Sequence, residues 1–553
     1  MSNTHSVPVP KAVNTIETDD IKKNEEAPVS RTASIPVVVQ EEKRLNIGSM
    51  SPSLKKMEYA VRGKVVIAAD RINEELRKSE KKDQYPFDHI VYTNIGNPHS
   101  VGQRPLTWPR QVLALVDLPE EVGINHPDAS KLFPADAIRR AKEIKAEIPG
   151  GTGAYSHSKG VRLFREDVAN FIKERDGVES DPEDIFLTNG ASAGIGMIME
   201  AIISDENWYA RQGFFSVCSL LFCSSFLISV SDMRSGVMIP IPQYPIYSAT
   251  IDLLGGKKVG YYLDEESNWD MNLEELERSI REARAEGINV NSFVLINPGN
   301  PTGQVLSEKA VKDIVRFCAK HKLVLLADEV YQENIYDDDL EFVSCKRAAH
   351  ETGLLEKNEL ELVSFHSVSK GLFGECGRRG GYLEMVGIDE EVKDQIYKLA
   401  SSFLCSTLSG QVMTSLMVRG PKPGDESYES YEAEKKVIYE SLKRRSKIVS
   451  EGLNSIPGFS CQPAQGAMYC FPSVQMPPGV IKAAEEQGTT PDTLFAVSLL
   501  ERTGICVVPA SGFGQEKGRF GFRTTFLPSE EALEKVVKDV EAHYEHFCKQ
   551  YAD

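Results

Sequence analysis

Five short apolar runs, rich in β-branched residues, recur through the middle of the chain. They are Ile185–Thr188, Val237–Ile241, Ser292–Ile296, Leu323–Ala327 and Leu362–Phe365. Each ends in a polar or Gly/Pro-rich stretch, and most lead into helix-like sequence such as Ser307–His321. Runs this short and continuous suit strands buried on both faces. Their alternation with helices predicts an α/β fold with a largely parallel sheet. Upstream, Val61–Arg77 has apolar residues at helical spacing and predicts an amphipathic helix ending in the charged, solvated run Lys78–Asp83. Near the C-terminus, Phe520–Phe526 predicts another strand.

In open sheets of this type, ligands bind beyond the carboxyl ends of the strands. The residues found there are unusual. Asn189-Gly190-Ala191-Ser192 follows the first run, Pro242-Gln243-Tyr244 the second and Asn297-Pro298-Gly299-Asn300 the third. Asp328-Glu329-Val330-Tyr331 follows the fourth, and His366-Ser367-Val368-Ser369-Lys370 the fifth. Five strand ends carrying polar groups predict one shared pocket.

Composition narrows the partners of that pocket. A length of 553 residues allows two or three domains, and 41% hydrophobic with 26% charged residues is ordinary globular usage. A formal charge of −18 argues against a nucleic-acid surface. The ten cysteines show no CxxC pair and no metal-ligand spacing with histidine, so no metal is expected and they read as free thiols of a reducing compartment. Residues 1–50 lack periodicity and read as a disordered leader. Five acidic residues precede its first arginine, Arg31, unlike a basic mitochondrial presequence, so the expectation is a cytoplasmic protein, with a mitochondrial location as the alternative.

The candidate chemistry rests on residue types at those strand ends. Gly190, Ala191 and Ser192 open a helical pattern, and small residues there let backbone N–H groups close on a phosphate; alone, the same turn is simply a tight turn. Lys370 lies among small hydroxyl residues, with Arg379 nine positions on. Such a lysine can act as a Schiff-base amine beside a phosphate site, with Arg379, Ser367 and Ser369 as phosphate donors. Asp328 after an apolar run is either a helix cap or a buried charge with a cationic partner. A pyridinium nitrogen is such a partner, and its protonation makes the ring an electron sink. Tyr331 and Asn300 can hydrogen-bond the ring hydroxyl, and Tyr244 offers an aromatic face for stacking.

Asn297-Pro-x-Asn-Pro-Thr-Gly303, Asp328-Glu-Val-Tyr331 and Ser367-x-Ser-Lys370, in that order, resemble the fold-type I pyridoxal-phosphate aminotransferases. More narrowly, the chain is similar to the alanine aminotransferases. The stretches that carry this are Asn94-Ile-Gly-Asn-Pro98, Gly153-Ala-Tyr-Ser-His-Ser158, Ile239 to Pro245, Gly371 to Tyr382 and Gly466-Ala-Met-Tyr469. The resemblance runs from about residue 55 to the C-terminus. It implies pyridoxal 5′-phosphate held on Lys370, amino-acid and 2-oxo-acid substrates, and a ping-pong exchange of L-alanine and 2-oxoglutarate for pyruvate and L-glutamate. It implies Arg523 on the substrate carboxylate, with Gly96 close to it. Tyr155 would reach the phosphate of a second subunit, hence a homodimer. It implies a large cofactor domain over residues 134–430 and a smaller α+β domain from 51–133 and 431–553. Arg378 departs from the tyrosine expected there and stands beside the phosphate site, but Arg379 keeps the family spacing from the lysine and is the phosphate ligand the resemblance implies. Another fold-type I enzyme, such as a different aminotransferase, an aminocyclopropane-carboxylate synthase or a C–S lyase, would share every cofactor residue.

Residues 207–235 fit neither the alternation nor the family. They include eighteen uncharged residues, Gly213 to Val230, the lower length limit of a membrane span. Both flanks belong to one sheet domain, so no span is expected. Codon degeneracy permits a splice donor across Trp208–Ala210 and an acceptor across Arg234–Ser235, and the segment reads as a translated intron whose removal restores a short link. If it persists in the protein, an inactive product is a further reading.

Overall fold

The computed structural model describes residues 46–59, 63–78, 84–203 and 234–552. The expected leader lies outside the described residues up to position 45, and the unusual insertion up to position 233. Residues 46–50 form a turn in which Asn46 Oδ1 accepts from the N–H groups of Gly48 and Ser49. The remainder, from Ser51 onward, is one compact unit.

Its centre is a seven-stranded sheet. The strands are β1 (Ile185–Thr188), β2 (Ser235–Ile241), β3 (Lys257–Tyr262), β4 (Asn289–Ile296), β5 (Val324–Asp328), β6 (Leu362–Ser367) and β7 (Gly381–Val386). Their order is β1-β7-β6-β5-β4-β2-β3. Neighbours from β6 to β3 run parallel, whereas β7 is antiparallel to both β6 and β1. Alternate side chains along β4, β5 and β6 enter opposite cores. Val294, Ile296, Leu326, Val363 and Phe365 pack into one, and Phe293, Leu295, Leu325, Ala327 and Leu362 into the other. Burial on both faces is why these strands read as unbroken apolar runs.

Two strands escape that pattern. β3 begins with exposed Lys257 and Lys258 and lies at the sheet edge, where one side is wet. β7 opens on a glycine and buries a charge, Glu384, which Lys346 meets at 2.6 Å. Ser235 corrects one expected boundary: assigned to the insertion by sequence, it is fully buried and pairs with Asn289 as the first residue of β2.

Register places the loops. Ile296 pairs with Asp328, and Asp328 with Phe365, so the segments that follow leave the sheet at one level. Thr188, Gly381 and Ser367 share a second level beside it. Helices α1 (Ala191–Ile202), α2 (Pro245–Leu254) and α3 (Glu308–His321) follow β1, β2 and β4. In α3, Ser307 Oγ caps the N–H of Ala310, and Val311, Ile314, Val315 and Cys318 form the buried stripe.

A three-stranded antiparallel sheet lies later in the chain: β8 (Tyr469–Cys470), β9 (Val508–Pro509) and β10 (Phe522–Thr525), with β10 central. β10 is the strand expected over 520–526. Residues near both ends of the chain meet where Val91–Tyr92 pairs parallel with Ile505–Cys506. Among the described residues no helix is long and apolar enough to cross a membrane, and the cysteines are free.

Candidate active site

Lys370 lies in the turn after β6. Its Nζ donates to the Gly96 carbonyl at 2.6 Å and lies 3.5 Å from Tyr469 Oη. Gly96 has to be small: a Cβ there would sit 2.5 Å from Tyr469 Oη and 2.7 Å from Lys370 Nζ. The lysine amine is therefore held between a backbone carbonyl and a phenol.

Below it lies a buried floor. Asp328 closes β5 with 4% exposure, and its Oδ2 accepts from Tyr247 Oη at 2.9 Å. Burial pushes its carboxyl up to about 6, although Tyr247, the Val330 N–H and Lys370 each pull it down. Its other oxygen, Oδ1, is buried without a hydrogen-bond partner among the described residues. A buried carboxylate oxygen that lacks a donor is costly, and a protonated ring nitrogen is the donor that would satisfy it. Tyr331 Oη lies 2.9 Å from Tyr469 Oη, and half-buried Tyr244 lies 3.2 Å from Tyr59 Oη. Arg523, 1% exposed, donates from Nη1 to Asn300 Oδ1 at 3.0 Å and from Nη2 to the Asn94 carbonyl at 2.5 Å. Its guanidinium lies over the rings of Tyr469 at 4.3 Å and Phe513 at 4.9 Å, and Nε has no hydrogen-bond partner among the described residues. A buried guanidinium with a free donor is suited to an incoming carboxylate.

The rim is different in kind. Gly190 has φ of 80°, a left-handed conformation, and hands the chain into α1 through buried Ala191 and exposed Ser192. Exposed Arg379 reaches back to this turn. Nη2 donates to the Asn189 carbonyl at 2.8 Å, and Nη1 to Ser369 Oγ at 3.3 Å and the Cys376 carbonyl at 2.9 Å. A Cβ on Gly190 would lie 2.7 Å from Nη2. Ser367 Oγ lies 3.1 Å from Ser369 Oγ. Arg378 turns elsewhere, with Nε 3.8 Å from Glu375 Oε2, so Arg379 is the guanidinium at the helix N-terminus. Arginine, serine hydroxyls and free N–H groups at a helix start form a cradle for a phosphate.

The structure thus joins Lys370, Gly96 and Tyr331 through Tyr469, and Asn300 to Arg523, whose guanidinium lies on the Tyr469 ring. Asp328 is held separately by Tyr247, and Arg379, Gly190, Ser367 and Ser369 form the phosphate cradle. Tyr155 is 79% exposed, and no hydrogen bond among the described residues joins it to that cluster. Four contributors had no role in the sequence reading: Tyr247, Tyr469, Tyr59 and Asn94. Tyr247, one turn from Tyr244 at the start of α2, carried the only local signal.

The model of the class I and II aminotransferases matches residues 218–540. The chain belongs to the class I and II aminotransferases. The glycine turn at 190–192 precedes the matched span, whereas full-length relatives cover it. An alanine aminotransferase 1 of Arabidopsis thaliana, named as mitochondrial, is 46% identical over 92% of this chain and 88% of its own. A glutamate–glyoxylate aminotransferase 1 of the same plant is 45% identical over 92% and 98%. Alanine aminotransferase 1 of Bos taurus is 42% identical over 92% and 97%. In fold, an alanine aminotransferase from Pyrococcus furiosus superposes with a TM-score of 0.65 at 22% identity, covering 91% of this chain and all of its own. The protein is a pyridoxal-phosphate-dependent aminotransferase acting between amino and 2-oxo acids, as its class does. The orphaned oxygen of Asp328 and the cradle around Arg379 fit that cofactor.

Proposed function

We propose that this aminotransferase exchanges L-alanine and 2-oxoglutarate for pyruvate and L-glutamate in a ping-pong cycle. The identity to alanine aminotransferases over nearly the whole chain supports the amino acid. The observation that carries the site is the chain of contacts from Arg523 through Tyr469 to Lys370, which sets a carboxylate-binding group beside the reacting amine.

Pyridoxal phosphate, when bound, supplies an aldehyde for the amino group and a ring that takes up the electron pair left by the departing α-proton. Lys370 would hold it covalently, Asp328 would keep its ring nitrogen protonated, and Tyr244 would cover its face. Tyr331 and Asn300 would bind the ring oxygen, and Arg379, Ser367, Ser369 and the Gly190–Ser192 turn the phosphate. Arg523 orients the substrate by its carboxylate, close to Gly96. The Lys370 amine would take the proton from the substrate α-carbon and deliver it to the cofactor's aldehyde carbon, on the far side of the amino nitrogen. Because Asp328, Arg523 and Tyr469 are buried, water is kept from that proton.

The same relatives include glutamate–glyoxylate aminotransferases, which favours glyoxylate as a second oxo-acid acceptor. Exposed Tyr155 supports a homodimer in which each copy completes the other's phosphate site. We place the protein in the cytosol from its acidic leader, although several relatives are named as mitochondrial. We read residues 134–430 as the cofactor domain and 51–133 with 431–553 as the smaller one. The insertion, ending before Ser235, is read as a translated intron, and a spliced transcript that carries codons 209–234 overturns that.

The activity test is direct. Purified protein should form pyruvate from L-alanine with 2-oxoglutarate or glyoxylate, and Lys370→Ala should form none. Pyruvate formation by Lys370→Ala, or absence of any turnover of alanine by the wild type, sinks the reading.

A further inference from the structure

Tyr469 touches both halves of the proposed chemistry, Lys370 and Arg523. It is 2% exposed and sits on β8, paired with Thr525 of β10 two residues from Arg523. Its hydroxyl is 3.5 Å from Lys370 Nζ and 2.9 Å from Tyr331 Oη. Its ring face carries the Arg523 guanidinium at 4.3 Å. With the phenol oxygen accepting from Lys370, its own O–H is left to donate to Tyr331.

We propose that Tyr469 is a further catalytic residue, whose hydroxyl holds the Lys370 amine in place and stabilises it when protonated while its ring orients Arg523. The inference rests on the reading of Lys370 as the cofactor lysine. The proton taken from the substrate is held on the lysine nitrogen until it is passed on, and meanwhile the phenol oxygen accepts a hydrogen bond from that N–H. No proton leaves Tyr469 in the step.

The surroundings support this division. Among the described residues, the titratable groups that act on Tyr469 are the cations Lys370, at its hydroxyl, and Arg523, on its ring, and the phenols Tyr331 and Tyr244. Burial pushes Tyr469 up, but the two cations and the hydrogen bonds it shares with Tyr331 and Lys370 outweigh it, leaving it below the ordinary tyrosine value. Burial instead lifts Tyr244, Tyr247 and Tyr331 well above it. Tyr469 is therefore the phenol of this group on which the two cations act, and its oxygen is the one within reach of Lys370 Nζ. The close fit at Gly96, where a methyl group would strike both Tyr469 Oη and Lys370 Nζ, keeps the pair together.

Two substitutions separate the two duties. Tyr469→Phe keeps the ring and removes only the oxygen. Its kcat should fall about ten- to hundredfold, the range for a lost positioned hydrogen bond in proton transfer, with KM for the amino acid within about twofold. The pH at which the visible absorption of the Lys370-bound cofactor changes should move about one unit lower, since the protonated nitrogen loses an acceptor. Tyr469→Leu removes the ring too and should also raise KM by about tenfold through Arg523. A Tyr469→Phe enzyme with wild-type kcat and absorption midpoint overturns the proposal. So does a fall in kcat with no movement of that midpoint, which would mark a purely structural role. Lys370→Ala tells the two readings apart: if it keeps the absorption band and turnover, the lysine assignment itself fails. If it loses both while Tyr469→Phe behaves as wild type, only the role of Tyr469 is lost.

Discussion

The floor and the rim of the site are built on different physics. On the floor, Asp328, Tyr247, Tyr331, Tyr469, Asn300 and Arg523 are all buried and already hydrogen-bonded to one another or to backbone. At the rim, Asn189, Ser192 and Arg379 are exposed and work through a helix start and a left-handed turn. Charges in the floor act in a low dielectric at positions fixed beforehand, whereas those at the rim are shared with water and salt. The contrast teaches that floor residues should govern the chemistry, and rim residues how tightly the cofactor is retained.

The sharpest way to break the contrast is Asp328→Asn. Losing a buried charge opposite a cationic nitrogen costs about 3–5 kcal/mol, a fall in kcat of roughly 10² to more than 10³. A loss below tenfold in steady-state assays would deny the floor its electrostatic role. The same change should have the opposite effect on the cofactor-free protein. Asp328 has its carboxyl raised to about 6 by burial, so its contribution to stability is full below about pH 4 and is lost as pH rises through 6. Above that the wild type bears a penalty of about 3 kcal/mol that the asparagine lacks. Unfolding in denaturant should therefore show cofactor-free Asp328→Asn gaining on the wild type by about that amount between pH 4 and pH 8. Parallel pH curves would show that the carboxyl is not raised.

Arg523→Lys comes next. The charge survives, but the forked donor set and the stacking on Tyr469 do not. We expect kcat/KM for the amino acid to drop roughly 30- to 100-fold, about 2–3 kcal/mol, mostly through KM. A change confined to kcat would place the arginine away from substrate binding.

How far the site could be read from sequence follows the same divide. Lys370, Asp328, Tyr331, Asn300 and the Gly190 turn were legible because each stands at the end of an apolar run, and register carries those ends to neighbouring levels of the sheet. The edge strand β3 and the charge-bearing β7 were not, because one is wet on one side and the other hides Glu384 against Lys346. The pairing of the floor hydroxyls left little local trace beyond the spacing of Tyr244 and Tyr247. Tyr247 meets Asp328 from 81 positions away and Tyr331 meets Tyr469 from 138, separations that only the folded chain closes. Ser235 shows the converse error, in which anomalous sequence beside a strand masked the strand's first buried residue.

Tyr247→Phe tests whether the floor is preorganised or merely buried. The substitution leaves the packing intact and removes the hydrogen bond to Asp328 Oδ2. A bond to a charged group contributes about 1.5 kcal/mol or more, so kcat should fall about tenfold with KM unchanged. An unaltered kcat would mean that Asp328 needs burial alone to do its work.

Ser192→Ala should have the smallest effect, and it probes the rim on its own terms. The side chain is exposed at the start of α1, where backbone N–H groups and Arg379 remain to hold a phosphate. Removing one hydroxyl donor costs about 1 kcal/mol, a roughly fivefold weaker cofactor Kd by equilibrium dialysis. At saturating pyridoxal phosphate kcat should be that of the wild type, and added salt should weaken cofactor binding in both proteins. A fall in kcat at saturation would show that the rim shapes the chemistry as well, and the division between the two regions would not stand.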